Sequence, residues 1–467
     1  MNRSARWTLA IVSVALFMTT LDNLVVSNAL PSIRAGLGAS VESLQWTVNA
    51  YTLSFAVLLL TGAALGDRFG RRRMFIIGLG VFTGASAVAA LAPSVGALVA
   101  ARAVQGAGAA MVLPLTLTLL SEAIAPERRG LALGIWSGVS GLGVALGPLV
   151  GGAVTEGISW QWIFWLNVPI GLVLAPLAAR RLTESHGPDR HLDLPGLGLA
   201  GLGLLGIVFG IVRGPALGWT SATVIASIVA GTVFLAGFLA WERRAPEPML
   251  PLRFFRSRAF AATNVASLSM FFGVFGSIFF LAQYFQVAKG YSPLQAGLAT
   301  LPWTGMPMFI APLAGIYSDR IGARPLMAGG LALQAIAVAW AASASDVGAS
   351  YTSLLIPLMM GGTGMALVFA PAANAVLGSV RPEEAGKASG ATNAIREIGG
   401  VLGVAVLASV FSSHGSYASP QDYVDGMSAA VPVGAAVLAA GALSALLVPG
   451  IKRERALRAS PFAENPA

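Results

Sequence analysis

The sequence predicts an all-α polytopic membrane protein made of two related halves, and three observations carry that prediction. Of the 467 residues 56% are hydrophobic and only 10% charged, with a mean hydropathy of +0.75, against roughly 25% charged residues in soluble domains. The apolar residues gather into fourteen runs long enough to cross a bilayer. A charged knot from Gly62 to Arg73, GAALGDRFGRRR, recurs from Ala314 to Arg324 as AGIYSDRIGAR. Aligning Asp67 with Asp319 superposes D-R-x-G-x-R on itself, and each copy closes an apolar segment, the mark of a duplicated chain.

Lipid offers backbone amides no hydrogen-bond partners, so spanning segments are helices or closed barrels, and apolar runs of about 20 residues specify helices. A barrel shows short alternating strands instead. The stretch MNRSAR before the first run resembles the start of a signal peptide, but the run continues from Trp7 to Leu30 and contains Asp22, which favours a first span. The first six spans are expected at 7–30, 44–65, 74–92, 97–121, 131–154 and 162–179. Two follow at 194–213 and 221–241, and the last six lie at 260–285, 294–317, 326–343, 353–377, 387–411 and 429–449. The layout gives an N-terminal six-helix half at 1–180, two inserted helices with flanking loops at 181–258, a C-terminal six-helix half at 259–450 and a tail at 451–467. Two polar loops bracket the insertion, RRLTESHGPDRHLD and WERRAPEPMLPLRFFRSR. The second reads either as a plain linker or as an amphipathic surface helix with Leu250, Leu252, Phe254 and Phe255 facing lipid.

A net charge of +9 would raise the question of nucleic acid in a soluble protein, but here the charges are sorted by side. One set of loops and the termini hold 24 of the 29 Arg and Lys residues, and the opposite loops hold only Arg34, Arg213 and Lys289. Positive residues collect on the cytoplasmic side, so both termini are expected in the cytoplasm of a multi-pass cell-membrane protein, with lipid and no nucleic acid as partner. Cysteine is absent, which excludes disulfides and thiolate metal sites. No metal or organic cofactor is expected, and a monomer is. His186, His191 and His414 lie in loops and no H-E-x-x-H or paired intramembrane aspartates occur, which argues against a membrane-embedded enzyme.

Charges inside spans cost about 2.5 to 3.5 kcal/mol each at a helix centre and commonly mark an ion or substrate path. The chain has four: Asp22, Arg102, Arg396 and Glu397. Asp22 stands in TTLDNLVVSNALP near Asn23 and Asn28, where a desolvated carboxylate is suited to carrying a proton, or to pairing permanently between two helices. Arg102, in ARAVQGAGAA, cannot discharge its proton and needs a counter-charge or carbonyls. It either modulates a neighbouring acid or serves packing. Arg396 and Glu397 are sequence neighbours and so point about 100 degrees apart on a helix, away from any single shared partner. Glu397 reads equally as a second proton site or as part of a helix interface. Asn23, Asn49, Gln105 and Arg396 are the candidate lining of a substrate cavity.

Two glycine-bearing patterns complete the reading. In the fifth span, GLGVALGPLVGG places Gly143, Gly147, Gly151 and Gly152 so as to form a smooth face, with Pro148 interrupting one backbone hydrogen bond, so the helix can pack closely and bend. In the repeated knot, Gly62 and Gly66 let helices meet at the membrane edge and Asp67 can cap or pair. Arg68 and Arg71, near Gly70, meet anionic lipid and carboxylates.

GAALGDRFGRRR resembles the signature loop after the second helix of the major facilitator superfamily, ARAVQGAGAA its fourth-helix arginine motif, and GLGVALGPLVGG its fifth-helix antiporter motif. LDNLVVSNALP, WQWIFWLNVPIG and the fourteen-span layout are similar to the drug:proton antiporter branch of multidrug exporters, and the resemblance covers nearly the whole chain. It implies a major facilitator fold of two six-helix halves plus the two inserted helices, alternating access, and proton-coupled export of lipophilic drugs or a host-made antibiotic. By that resemblance Asp22 takes the first-helix acid role, Arg102 the proton-coupling role, Gly147 with Pro148 the antiporter hinge, and the Gly62–Arg71 stretch an inner gate. Three departures stand out. Leu24 replaces a frequent Thr, the tenth span LPWTGMPMFIAPLAG lacks the acid that some members use for divalent cations, and Glu397 replaces a neutral amide. The rivals are an uptake symporter, disfavoured by the fifth-helix motif, and a non-transporting sensor, opposed by retention of all three motifs.

Overall fold

The computed structural model describes residues 3–124, 126–186, 192–380 and 384–450. The tail 451–467, His191 and Arg381 lie outside the described residues, as does the side chain of Asp319. In chain order the helices are α1 (Arg3–Leu37), α2 (Val41–Phe69), α3 (Arg71–Ala90), α4 (Val95–Ala123), α5 (Pro126–Gly157), α6 (Trp162–Trp165), α7 (Asn167–Arg181), α8 (Leu194–Leu217) and α9 (Ala222–Glu242). A 3₁₀ turn at Leu252–Arg256 leads to α10 (Arg258–Val287), α11 (Pro293–Ile321), α12 (Ala323–Ala344), α13 (Tyr351–Leu377), α14 (Ala385–His414) and α15 (Pro420–Ala445). Among the described residues, twelve segments are long and apolar enough to cross a membrane, α6 and α7 counting as one. The expected count of fourteen is therefore met in part. The other two long helices, α5 of 32 residues and α11 of 29, fall outside that set.

Serine caps six of the fifteen described α-helices. Ser40, Ser94, Ser221, Ser257, Ser292 and Ser419 each accept a backbone N–H from the first turn of the helix that follows, satisfying a donor that has no partner within the helix. The repeated knot has a geometric reason. Gly70 and Gly322 sit at φ 105° and 88°, a region closed to side-chain-bearing residues at a cost of about 1–3 kcal/mol. Each donates its N–H back to the helix it ends, to Gly66 and Ser318 respectively, both at 3.0 Å. One residue thus separates α2 from α3 and α11 from α12. Replacing Gly322 by Ala is expected to lower stability by about 1–3 kcal/mol. Thermal unfolding of the purified protein measures this, and an unchanged midpoint would contradict the strain.

One apolar core joins α1, α2, α3, α4 and α7 around Phe75, Phe82, Val112 and Leu115. A second is centred on α10 to α15, where Phe280, Phe411 and Tyr423 form an aromatic cluster. Helix α8 lies against α2 and α14 through Leu204, Val208, Leu53, Val401 and Ala405, and α9 packs on α8 at Gly203, Gly206 and Gly231.

Two local features differ from expectation, and a third decides between two readings. Helix α15 begins at Pro420, not 429, because Ser419 caps it at the Asp422 N–H (3.1 Å) and Tyr423 buries its ring against Phe411; the polar QDYVDG stretch forms the first turns of the helix, with Gln421 and Asp425 exposed and Tyr423, Val424 and Gly426 buried. The sixth span breaks at Leu166, and Asn167 starts the second piece. The 241–258 loop forms no surface helix: Phe254 turns inward onto Phe260, with ring centroids 5.4 Å apart.

Candidate functional site

The fold draws one fully buried polar cluster together from α1, α2, α3, α4 and α7. Asp22 on α1 and Arg102 on α4, each 1% exposed, form an ion pair with Nη1 to Oδ2 at 2.6 Å. The other carboxylate oxygen accepts from Gln105 Nε2 at 2.8 Å and from Asn167 Nδ2 at 2.7 Å. Both amides also donate to Ser86 Oγ on α3, at 2.7 and 3.3 Å. Arg102 donates from Nη1 to Gln105 Oε1 at 2.6 Å and from Nε to the Thr47 carbonyl at 3.3 Å, and its guanidinium lies 4.2 Å from the centre of the Tyr51 ring. Charge is thus balanced, and both carboxylate oxygens and the Arg102 Nη1 and Nε groups are hydrogen-bonded, which is what makes a buried pair tolerable. An arginine keeps its proton in proteins, so the only group in this pair able to take up or release one is Asp22.

The sequence marks Asp22 and Arg102 as proton-coupling candidates and Gln105 as a cavity candidate; the structure brings all three into contact. It adds Asn167, Ser86 and Tyr51, none of them picked out as site residues. Asn23, the next residue along α1, is half-buried and takes no part. Asn49 is wholly buried, and neither end of its amide has a hydrogen-bond partner among the described residues.

Arg396 and Glu397 on α14 diverge. The guanidinium of Arg396 lies 5.4 Å from the Phe369 ring and 5.9 Å from the Phe271 ring. Glu397 is half-buried and lies within electrostatic reach of the Tyr51 phenol, as do Asp22 and Arg102. Tyr51 therefore lies against Arg102 and within electrostatic reach of Glu397.

The glycines of α5 meet two partners. Gly143, Gly147 and Gly151 face α1, where a Cβ would lie 3.2 Å from Thr20 Cβ, 2.6 Å from Leu24 Cβ and 2.7 Å from the Val25 carbonyl oxygen. Gly152 faces α11, and a Cβ there would overlap the Pro293 carbonyl oxygen. The Pro148 carbonyl accepts from Asn28 Nδ2 at 2.7 Å and is covered by Gly297. With Leu294 N–H donating to Glu156 at 3.0 Å, Gln286 to the Asn28 carbonyl at 2.8 Å and Arg34 lying 4.5 Å over Tyr417, α1 and α5 meet α10, α11 and the segment after α14 at the arginine-poor end.

At the arginine-rich end Arg71 holds Asp67 through Nε and Nη2, both at 2.8 Å, and also pairs with Glu122 on α4. Gly62 and Gly66 lie against Ala110 and Leu115, where a side chain would overlap. Glu184, after α7, accepts the N–H groups of Arg72 and Arg73 at 2.9 and 3.2 Å and fixes the turn at Gly70. Arg68 stays exposed. These contacts join α2, α3, α4 and the segment after α7, and Gly390 of α14 approaches Leu60 of α2. No cluster of three potential metal ligands occurs among the described residues.

Comparison with known proteins gives a consistent result. The family model described as Major Facilitator Superfamily matches residues 12–404. The cephamycin export protein CmcT of Amycolatopsis lactamdurans is 39% identical over 429 residues, 90% of this chain and 87% of that protein. The tetracenomycin C resistance and export protein of Streptomyces glaucescens is 36% identical over 415 residues, 88% and 77% of the two chains. The multidrug resistance protein Stp of Mycobacterium tuberculosis is 35% identical over 416 residues, again 88% and 77%. Among solved structures, a bacterial homologue of the human lysosomal transporter Spinster superposes with a TM-score of 0.69 at 15% identity, covering 100% of both chains. The peptide transporter POT gives 0.68 at 17%, covering 92% and 93%.

Proposed function

This chain belongs to the Major Facilitator Superfamily, in its branch of antibiotic and multidrug exporters, and we propose that it exchanges protons for lipophilic, antibiotic-like molecules leaving the cytoplasm. It is a multi-pass membrane transporter and not an enzyme. The observation that carries the proton-coupled reading is the sealed Asp22–Arg102 pair with its Gln105 and Asn167 donors. A proton arriving on Asp22 ends the ion pair, and its departure restores it. Two discrete states of this kind are what a coupled carrier requires, because occluding a bare charge is costly.

On this reading the arginine-rich end faces the cytoplasm of the cell membrane, with both termini there. Helices α5 and α11 join the twelve apolar spans to make fourteen, and α8 and α9 are the insertion between the halves 1–180 and 259–450. The protein works as a monomer with the proton as coupling ion and no other cofactor. The halves rock about the interface: the arginine-poor end opens, Asp22 or Glu397 takes a proton from outside, the Asp67–Arg71 gate then opens, and substrate binds as the proton leaves. A potential of about 100 mV is worth roughly 2.3 kcal/mol per charge, and one pH unit about 1.4, so one proton sustains nearly three decades of gradient for a neutral substrate.

A susceptibility panel in an efflux-deficient host tests the direction of transport. Expression is expected to raise resistance to at least one lipophilic antibiotic and to lower its accumulation. Raised accumulation would favour uptake, and binding without any flux would favour a sensor. Replacing Asp67 by Asn removes one of the two carboxylate partners of Arg71 at the gate and is expected to slow turnover severalfold while equilibrium substrate binding stays within about twofold. A large loss of affinity would move this stretch from gate to binding site.

A further inference from the structure

We infer that Arg396 is an anion-recognising residue and that the exported molecule carries an acidic group beside an aromatic or planar body. The inference rests on the export reading above and deepens it. Arg396 is 9% exposed, yet its Nε and Nη2 have no acceptor among the described residues, and its Nη1 reaches only Asn393 Oδ1 at 3.5 Å. That is the outer limit of a hydrogen bond. A buried charged donor without an acceptor is costly, and native structures supply a partner or reserve the group for one.

The charges around Arg396 do not fill that role. Glu397 is its nearest opposite charge and is within electrostatic reach, but the two form no ion pair, and the Glu397 Oε2 is itself without a partner. Asp22 is committed to Arg102, Gln105 and Asn167 and offers little field to a cationic substrate. What does flank the guanidinium is aromatic: Phe271 and Phe369 lie beside it, and Phe275 stacks on Phe271 with centroids 5.3 Å apart and planes 18° from parallel. Phe275 and Phe369 are only partly buried. A planar fork of N–H donors framed by rings matches a carboxylate or phenolate attached to a flat apolar body, the fork taking the acid in bidentate fashion and the rings the body.

Equilibrium binding of anthracene-2-carboxylate and of its neutral methyl ester to the full-length protein in nanodiscs tests this. Wild type is expected to prefer the acid by roughly tenfold or more, the size of a charge-assisted hydrogen bond. R396M is expected to lose that preference while holding the ester as before, the ester serving as the folding control, and R396K to regain part of it. A wild-type protein that does not prefer the acid, or an R396M protein that loses acid and ester in parallel, overturns the inference. Where the acid is not preferred but adding the ester to wild-type proteoliposomes still drives proton release, the export reading stands and anion recognition alone falls.

Discussion

Replacing Asp22 by Asn is expected to abolish proton-coupled transport and to reduce resistance in an efflux-deficient host to the level of an empty vector. The amide keeps the shape and one acceptor, so the Gln105 and Asn167 bonds survive in part, but Arg102 is left buried with no counter-charge. Removing one member of a buried pair costs about 3–5 kcal/mol. The variant is therefore expected to unfold at a lower temperature as well as to lose the site that changes protonation. Flux and stability separate the two effects: a protein that still binds substrate and folds in lipid but moves none has lost coupling, not structure. Resistance equal to wild type would take Asp22 out of the coupling role and shift it to Glu397.

Replacing Gly152 by Val is expected to hold the arginine-poor ends of the two halves apart. A Cβ at this position overlaps the Pro293 carbonyl oxygen on α11, which is backbone and cannot swing aside, and branching adds two more carbons. The neighbouring contacts, Asn28 to the Pro148 carbonyl and Glu156 to the Leu294 N–H, depend on the same approach. Export is expected to fall at least tenfold. Because the chain has no cysteine, a single one introduced at Ser27, in the small cavity between α1, α5, α10 and α11, reports the opening cleanly. A membrane-impermeant maleimide added outside is expected to label it at least tenfold faster in the Gly152→Val background. Equal labelling rates would show that the ends do not need to meet here.

How far the sequence discloses this protein depends on the range of the interaction concerned. Apolar run length is a local quantity, and it locates most helix ends to within about four residues; the exceptions are α1, which continues to Leu37, and α15, where polar first turns disguise the start at Pro420. The glycines of the repeated knot were visible as a pattern, and their positive φ explains it. Charges in apolar surroundings stand out one at a time, so Asp22 and Arg102 were both found. Their pairing was not, since 80 residues separate them. Asn167 is harder still: it sits in an apolar run, and its bond to Asp22 spans 145 residues. The only local sign is the helix break at Leu166, which places the Asn at the start of α7. Ser86 lies in GASAVAA, where a serine reads as one more small packing residue. Polarity alone led to Asn49 and Gln105 as cavity residues, but polarity does not distinguish a group facing a cavity from one sealed among helices.

The measurement that bears most directly on the central claim is proton release on addition of substrate to the purified wild-type protein in weakly buffered detergent solution. Asp22 as the coupling site predicts that protein brought to a pH at which Asp22 is protonated releases up to about one proton per substrate bound as the pair with Arg102 re-forms, and that the Asp22→Asn variant releases none. Substrate binding with no release, or with proton uptake, would contradict antiport through Asp22.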